Sequence, residues 1–437
     1  MLANRFLLIS SCLLALAVGG CNTGEGVSNG STHGRMRVLN VIPNAGAPIN
    51  VVFDGKPFVT NLDFEAQTSY QQIDAGLRQV QVSIAGGSTD TVATTLTFIP
   101  DTDYTFVAFG PVAAAGGVII NDTTLIVDPG AGKFNVRVIN GAYNNLVVDV
   151  YVTDPDADLN TVSPALSAVF YGTNTLFANV NSGRTRIRVT PANSKQVIFD
   201  SLAQTIAERA QITLVVYSRG SSSLVNVALL NIDDDGTGSI SNNLLAQFKI
   251  VNASSVPSPL NVFVDQDLAL SNVPYANATA YRTVTTGRRN LTVEATATPG
   301  ATLLSINPLL ASATDTSIVL LGPAGAMTAV TYADSNYPPA AGRANVRFVN
   351  SSDIPAVDVY ANFSKQVDAL AMNGASPVLG FDADAASGTN YEIDFHVAGS
   401  TQTSLQLPAV TFVGGKLYTI YLVGSGPTLA GVVAQDN

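Results

Sequence analysis

The sequence has no tryptophan, only two histidines and two cysteines, and few charges of either sign, since Asp, Glu, Lys and Arg together make up 12%. Each shortage removes a class of function. Of the two cysteines, Cys12 and Cys21, the first lies in a segment expected to be cleaved off, so no intrachain disulfide can form in the mature chain. Stability must therefore come from apolar burial. His33 falls in a polar N-terminal stretch, which leaves His396 as the one histidine available to a Ser-His-Asp triad. Without tryptophan the widest flat platform for sugar stacking is missing, and many of the 14 Tyr and 18 Phe fall at inward strand positions, so glycan binding is allowed but unprompted. A net charge of −11, or −12 once Arg5 leaves with the leader, argues against a phosphate-tracking partner, and no nucleic acid is expected. The longest apolar run, Phe6 to Val18, is broken by Ser10, Ser11 and Cys12 and falls short of the roughly 20 residues of a spanning helix.

What is present is a chain that folds: 46% hydrophobic residues, with 36 Gly and 21 Pro spread along 437 positions, enough for roughly two to four domains. Arg5 followed by the apolar run reads as a signal peptide over residues 1–20. Val18-Gly19-Gly20-Cys21 resembles the lipobox of bacterial lipoproteins. The resemblance implies a diacylglyceryl group on Cys21, acylation of the new amino terminus and a membrane partner reached through that lipid; the alternative is cleavage after Ala15-Leu16-Ala17 with Cys21 a free thiol. Several acyl chains anchor durably where one is marginal. Asn22, where an aspartate would signal inner-membrane retention, implies the outer membrane of the cell envelope, on its periplasmic or its surface face. Residues 21–35 form a tether, in which Asn22 to Gly34 would span roughly 20 Å as a flexible coil.

Beyond the tether the sequence repeats itself. A basic-led apolar segment ending in Asn recurs at Arg37–Asn40, Arg137–Asn140, Lys249–Asn252 and Arg347–Asn350, with spacings of 100, 112 and 98. A polar residue between apolar ones follows at Asn50, Asp149, Asn261 and Asp358, and a glycine opens a further strand at Gly76, Gly183 and Gly287, more loosely at Gly388. Each copy closes on strands that run to Asp122, Asp233, Asp334 and Asp436. Four landmarks in one order indicate internal repetition, and period-two alternation as in Val80 and Val82 or Ile187 and Val189 indicates strands with one buried face. The predicted fold is all-β: four tandem antiparallel β-sandwiches, immunoglobulin-like or Greek-key, over residues 36–132, 133–242, 243–342 and 343–437. Val349-Asn-Ser-Ser-Asp-Ile-Pro-Ala-Val-Asp-Val-Tyr360 resembles the signature of domain of unknown function 4397, with Asn350 where that signature carries histidine. The resemblance extends over nearly all of Met36 to Asn437; it implies tandem domains of envelope proteins and brings no catalytic residues.

Candidate sites are few. Glu392, Asp394 and His396 alternate along one strand, so all three share a face; an acid-base or metal cluster is weighed against a solvated polar face, which is preferred. Asp154, Asp156 and Asp158 begin like a calcium loop, but Leu159 and Ala165 stand where glycine and glutamate are wanted, favouring a solvated insertion. Asp233, Asp234 and Asp235 with Gly236 and Gly238 read as an exposed turn where the second sandwich hands over to the third. Asn40, Asn140, Asn252 and Asn350 read as strand-ending Asx turns rather than a repeated binding loop. Arg184, Arg186 and Arg188 form a stripe whose counter-charges neighbouring strands would supply. No catalytic, metal or cofactor residue is assigned. The leading expectation is a non-enzymatic envelope lipoprotein, a scaffold, adhesion or interaction module whose four repeats project away from the membrane toward a protein or glycan. The second is a ligand-binding or sensory lipoprotein using clefts between repeats, and the third an enzyme.

Overall fold

The computed structural model describes residues 32–437 apart from 44–45, 88–89, 124–126, 221–222 and 234. The leader, the lipobox and Cys21 lie outside the described residues, as does Asp234. The chain is built almost wholly of strands, which fall into four successive segments, each contributing two main sheets. In the first, Gln71–Asp74, His33–Val41, Asp103–Phe109 and Gly116–Asn121 form one sheet, and Lys56–Leu62, Ile49–Phe53, Gly76–Ile84 and Asp90–Phe98 the other. One hydrophobic cluster fills the space between them, with Val38, Val51, Val80 and Phe106 at its centre, and the later segments each hold an equivalent cluster.

One pairing in each unit departs from the antiparallel rule. The opening strand runs parallel to a late strand of its own unit: His33–Val41 with Asp103–Phe109, Lys133–Gly141 with Gln211–Ser218, Leu245–Ser254 with Asp315–Gly322, and Arg343–Ser352 with Leu417–Gly424.

The second landmark of the repeat marks a β-bulge. Asn50 Oδ1 accepts the backbone N–H of Asn61 at 2.9 Å, Asp149 Oδ1 that of Ala168 at 2.8 Å, Asn261 Oδ1 that of Asn272 at 3.0 Å and Asp358 Oδ1 that of Ala369 at 2.8 Å. All four donor residues have positive φ, between 47° and 55°, and the ladder shifts register beside each bonded pair. An extra residue in one strand leaves an N–H without a ladder partner, and the side chain supplies the acceptor.

The opening strands explain why the units do not form a string. A strand on an open sheet face should bury every second residue, yet His33–Val41, Lys133–Gly141, Leu245–Ser254 and Arg343–Ser352 are buried on both faces over most of their length. The second face is covered by the neighbouring unit. Leu39, Val107 and Phe109 of the first unit pack with Ile139, Val215 and Tyr217 of the second, and Val251 and Val319 of the third pack with Val349, Tyr421 and Val423 of the fourth. The expected row of four repeats projecting one beyond the next is thus corrected to two face-to-face pairs, because sheet faces this apolar are stable only when covered.

Candidate functional site

The basic residue that opens each repeat lies in the seam between paired units. Arg137 of the second unit is bonded to Asp122 of the first, donates from Nε to Thr213 Oγ1 at 2.9 Å and from Nη1 to the Asn121 carbonyl at 3.0 Å. Arg37 donates to Thr105 Oγ1 and to the Asn231 carbonyl, both at 2.7 Å, beneath the ring of Tyr70. The other seam is reciprocal. Lys249 of the third unit pairs with Asp436 of the fourth, and Arg347 of the fourth with Asp334 of the third. Tyr281 covers Lys249 as Tyr70 covers Arg37, and its hydroxyl donates to Asp334 at 2.6 Å as that of Tyr70 donates to Asp122 at 2.6 Å. Burial works against the charge of Lys249, but Tyr421, Asp436 and Asp334 outweigh it and hold its pKa above the ordinary lysine value. Three of the four terminal aspartates, Asp122, Asp334 and Asp436, visible in the sequence only as strand ends, are the counter-ions of the basic landmarks, a pairing that their recurrence at fixed places in the repeats could have indicated.

The four asparagines bind the two sheets of their own unit. Each accepts from the backbone N–H two residues on, at 3.0 to 3.2 Å, and each donates from Nδ2 across the core to a carbonyl of the opposite sheet: Leu62, Val169, Val273 and Leu370. The Asx turn is as expected; the bond across the core is additional, and it could be found only once the opposite strand was placed.

The remaining sequence candidates separate. Asp154, Asp156 and Asp158 are exposed on a loop held down by Arg186, on the Pro155 carbonyl at 3.1 Å, and by Arg188, on the Ala157 carbonyl at 2.8 Å. Arg186 also donates from Nε and Nη2 to the two carboxylate oxygens of Asp200 on the adjoining strand, at 2.7 and 2.6 Å, so the stripe does find its counter-charge there, while Arg184 is exposed. Asp233 is not at the handover between second and third units. It turns the chain from Val225–Asn231 into Gly238–Ser241 within the second unit, accepting from Thr237 Oγ1 at 2.7 Å. Burial opposes its charge, but the Thr237 hydroxyl and the backbone N–H groups of Thr237 and Gly236, with Arg37 nearby, hold its pKa below the ordinary carboxylate value. The turn presses on the first unit so closely that a Cβ on Gly236 would stand 2.7 Å from the Tyr70 ring. Nor is the Glu392, Asp394 and His396 face solvated. Asp394 is 6% exposed and its Oδ1 has no partner among the described residues, while His396 stacks on Tyr360 with ring centres 4.6 Å apart. Sequence alternation shows which face a residue takes but not that cross-strand neighbours can cover it. Among the described residues no three His, Cys, Asp or Glu side chains are grouped to hold a metal ion.

The joint between the pairs is Asn242-Asn243-Leu244. Asn243 is fully bonded: its Nδ2 donates to the Ile198 and Val225 carbonyls at 2.7 and 2.8 Å, and its Oδ1 accepts from the backbone of Asp200 and Leu245 at 3.1 and 3.0 Å. Ser312 of the third unit donates to its carbonyl at 2.8 Å. Beside this fixed joint lies an open cleft of about 580 Å³, within the size range of small-ligand sites. One wall is the edge strand Gly238–Ser241, with Ser239 and Ser241 opposite Leu229 and Val227 in register. The facing wall carries Leu202 and Gln204, and the third unit closes one end with Thr286 and Ser312. None of these lining residues was singled out in the sequence; the only signal was an Asn-Asn pair between two strands.

The family model of domain of unknown function DUF4397 matches residues 34–151 and 246–360, together more than half of the chain. The chain belongs to the DUF4397 family. Each DUF4397 match runs through one complete unit and on to Tyr151 or Tyr360, at the second strand of its partner, so it includes the basic landmarks on both sides of a seam. No curated protein matches the sequence. Among solved structures, family 41 carbohydrate-binding modules of streptococcal virulence factors, described for alpha-glucan recognition, align at 11% identity and TM-score 0.16 over 42% of this chain and 93% of theirs. A cell adhesion protein from Bacteroides uniformis, so described provisionally, aligns at 10% and 0.20 over 47% and 99%, and the Bacillus anthracis TIE protein at 8% and 0.15 over 91% and 70%. Likenesses this slight carry no statement about ligands.

Proposed function

We propose that this DUF4397 protein is a non-catalytic binding module of the cell envelope, held at the outer membrane by a lipid on Cys21, and that it meets its partner at the cleft between the second and third units. The cleft carries the reading. The charged residues that repetition brings forward are spent in the two seams, whereas the side chains of Ser239, Ser241, Asn242 and Thr286 around the cleft are polar and have no hydrogen bond among the described residues. A fixed joint between two fused pairs holds those groups in place, and binding residues on a rigid frame need little ordering when a ligand arrives. Domain boundaries fit this use: residues 36–132 and 133–242 make the first pair, 243–342 and 343–437 the second.

A photo-crosslinking residue at exposed Asn242 in intact cells, with a second protein carrying it at Phe363 as comparison, tests the assignment. Phe363 is 82% exposed at a hairpin tip of the fourth unit. Adducts found by mass spectrometry at Asn242 and not at Phe363 are the expected result. Adducts at Phe363 alone would move recognition to the tip, as in an adhesion arm, and turnover of any substrate lost on His396→Ala would make the protein an enzyme. The intact mass of the membrane-extracted protein checks the anchor: a mass without the acyl increment removes it.

A further inference from the structure

The open groups of the cleft share one chemical character. Gln204 Nε2 is buried without a hydrogen-bond partner. The side chains of Ser239, Ser241, Asn242 and Thr286, which also line the space, have no hydrogen bond among the described residues, and Ser312 keeps its lone pairs while its proton goes to Asn243. Hydroxyls and primary amides both donate and accept. A ligand that matches them must itself offer both at close spacing.

Charge is nearly absent from the lining. Arg219 is its one ionic group, and its guanidinium is already placed on Glu65 Oε2 at 3.0 Å. Glu65 already neutralises that charge, which weakens the pull on an anion, and no carboxylate lines the space to hold a cation. Apolar side chains there are limited to Leu202 and Leu244, since Ile240, between the two serines on the strand, packs into the seam. That suffices for the C–H face of a sugar ring and not for an acyl chain, whose binding depends on continuous apolar burial.

We infer that the cleft takes a short neutral glycan, of about two or three sugar rings by the usual size of such clefts. This rests on the binding role proposed above and adds the ligand class. Gln204 is the reserve contact: its Nε2 has no partner in the enclosed position it holds, and turning the side chain toward the cleft would let a sugar hydroxyl satisfy it. Ser239 and Ser241, two residues apart on one strand, point the same way and so present two hydroxyls along the edge of the sugar chain. Recognition without an aromatic platform makes the positions of the sugar hydroxyls, rather than ring stacking, the basis of selectivity.

The test uses the full mature chain and saturation-transfer NMR with maltotriose, cellotriose, laminaritriose and chitotriose, sialyllactose as the anionic comparison, and an uncharged Ser-Gly peptide. Saturation transfer to at least one neutral trisaccharide is expected, with affinity about tenfold weaker in Gln204→Ala, the size expected for losing one buried hydrogen bond. Asn242→Ala, at an exposed position, weakens binding without touching the core, so the inference can still be judged if Gln204→Ala folds poorly. It is overturned if no neutral trisaccharide binds at millimolar concentration, if sialyllactose binds better than all four, if binding ignores both substitutions, or if the peptide binds the Gly238–Ser241 edge instead. Crosslinks from Asn242 in cells with no sugar bound in vitro would leave the binding role standing and remove only the glycan.

Discussion

Lys249 and Asp436 stand 187 positions apart, yet the ammonium of one meets the carboxylate of the other inside the seam between the third and fourth units. Neither side chain is more than 4% exposed. Such a pair gains little over an apolar replacement, since both ions have left water, but breaking it strands a charge. What it provides here is register: the bond forms only when the opening strand of the third unit and the end of the last strand of the fourth stand in one alignment.

Lys249→Met should therefore cost about 3–5 kcal/mol, while Lys249→Met combined with Asp436→Leu costs clearly less than the two single losses added together. Urea denaturation of the four proteins of this cycle measures the coupling. Additive losses would mean that the ion pair contributes nothing specific to the seam.

The cross-core asparagine bond gives a second test. Asn350→Ala removes donors to the Ile354 and Leu370 carbonyls, at 3.0 and 3.1 Å, and the acceptor of Ser352, leaving buried groups unpaired at about 1–3 kcal/mol. Asn350→His, which restores the residue of the family signature, keeps a ring donor and should lose less. Thermal melts of both substitutions decide, and equal losses would show that the bond across the core is unimportant.

Much of the fold was legible because its signals are local. Alternation at Val80 and Val82 indicated a strand, and the recurrence of Arg37, Arg137, Lys249 and Arg347 indicated repeats. The seams were not legible as such: the basic-led apolar segments stood out only as repeat landmarks and the strands as having one buried face, although a largely apolar strand also signals a sheet covered on both faces. Nor could the sequence indicate the cleft, since Gln204, Ser241 and Thr286 are unremarkable along the chain and are brought together only by the joint at Asn243. Asp233 was misplaced for a related reason, because an acidic glycine-rich turn looks the same within a unit as between two.

Gly424 marks how closely the fourth unit sits on the third. Its φ is 89°, and a Cβ there would stand 2.1 Å from Tyr275 Oη and 2.5 Å from the Thr428 carbonyl. Gly424→Ala should thus destabilise the second pair by at least about 1 kcal/mol from the backbone alone. Adding Tyr275→Phe relieves the clash with the hydroxyl and should recover part of the loss in differential scanning calorimetry. No recovery would place the whole cost in the backbone.

Two aspartates on the same sheet face of the fourth unit should respond oppositely to removal of charge. Burial opposes the ionised form of Asp358, but the backbone N–H of Ala369, the Lys365 ammonium at 2.8 Å and the backbone N–H of Gly399 outweigh it and hold its pKa down to about 2. A carboxyl whose folded pKa lies below its unfolded value of roughly 3.9 stabilises the fold above that value and loses this contribution as pH falls toward the folded pKa. Asp358→Asn should accordingly melt below the native protein near neutral pH, and the gap should close as pH falls from about 4 to about 2. Asp394 has a buried oxygen with no donor, so Asp394→Asn should be neutral or stabilising near neutral pH. Melting temperatures across this pH range test both. An Asp394→Asn loss as large as that of Asp358→Asn would mean that the Asp394 carboxylate is matched by a partner, and the face it shares with Tyr360 and His396 would then become a second candidate for recognition.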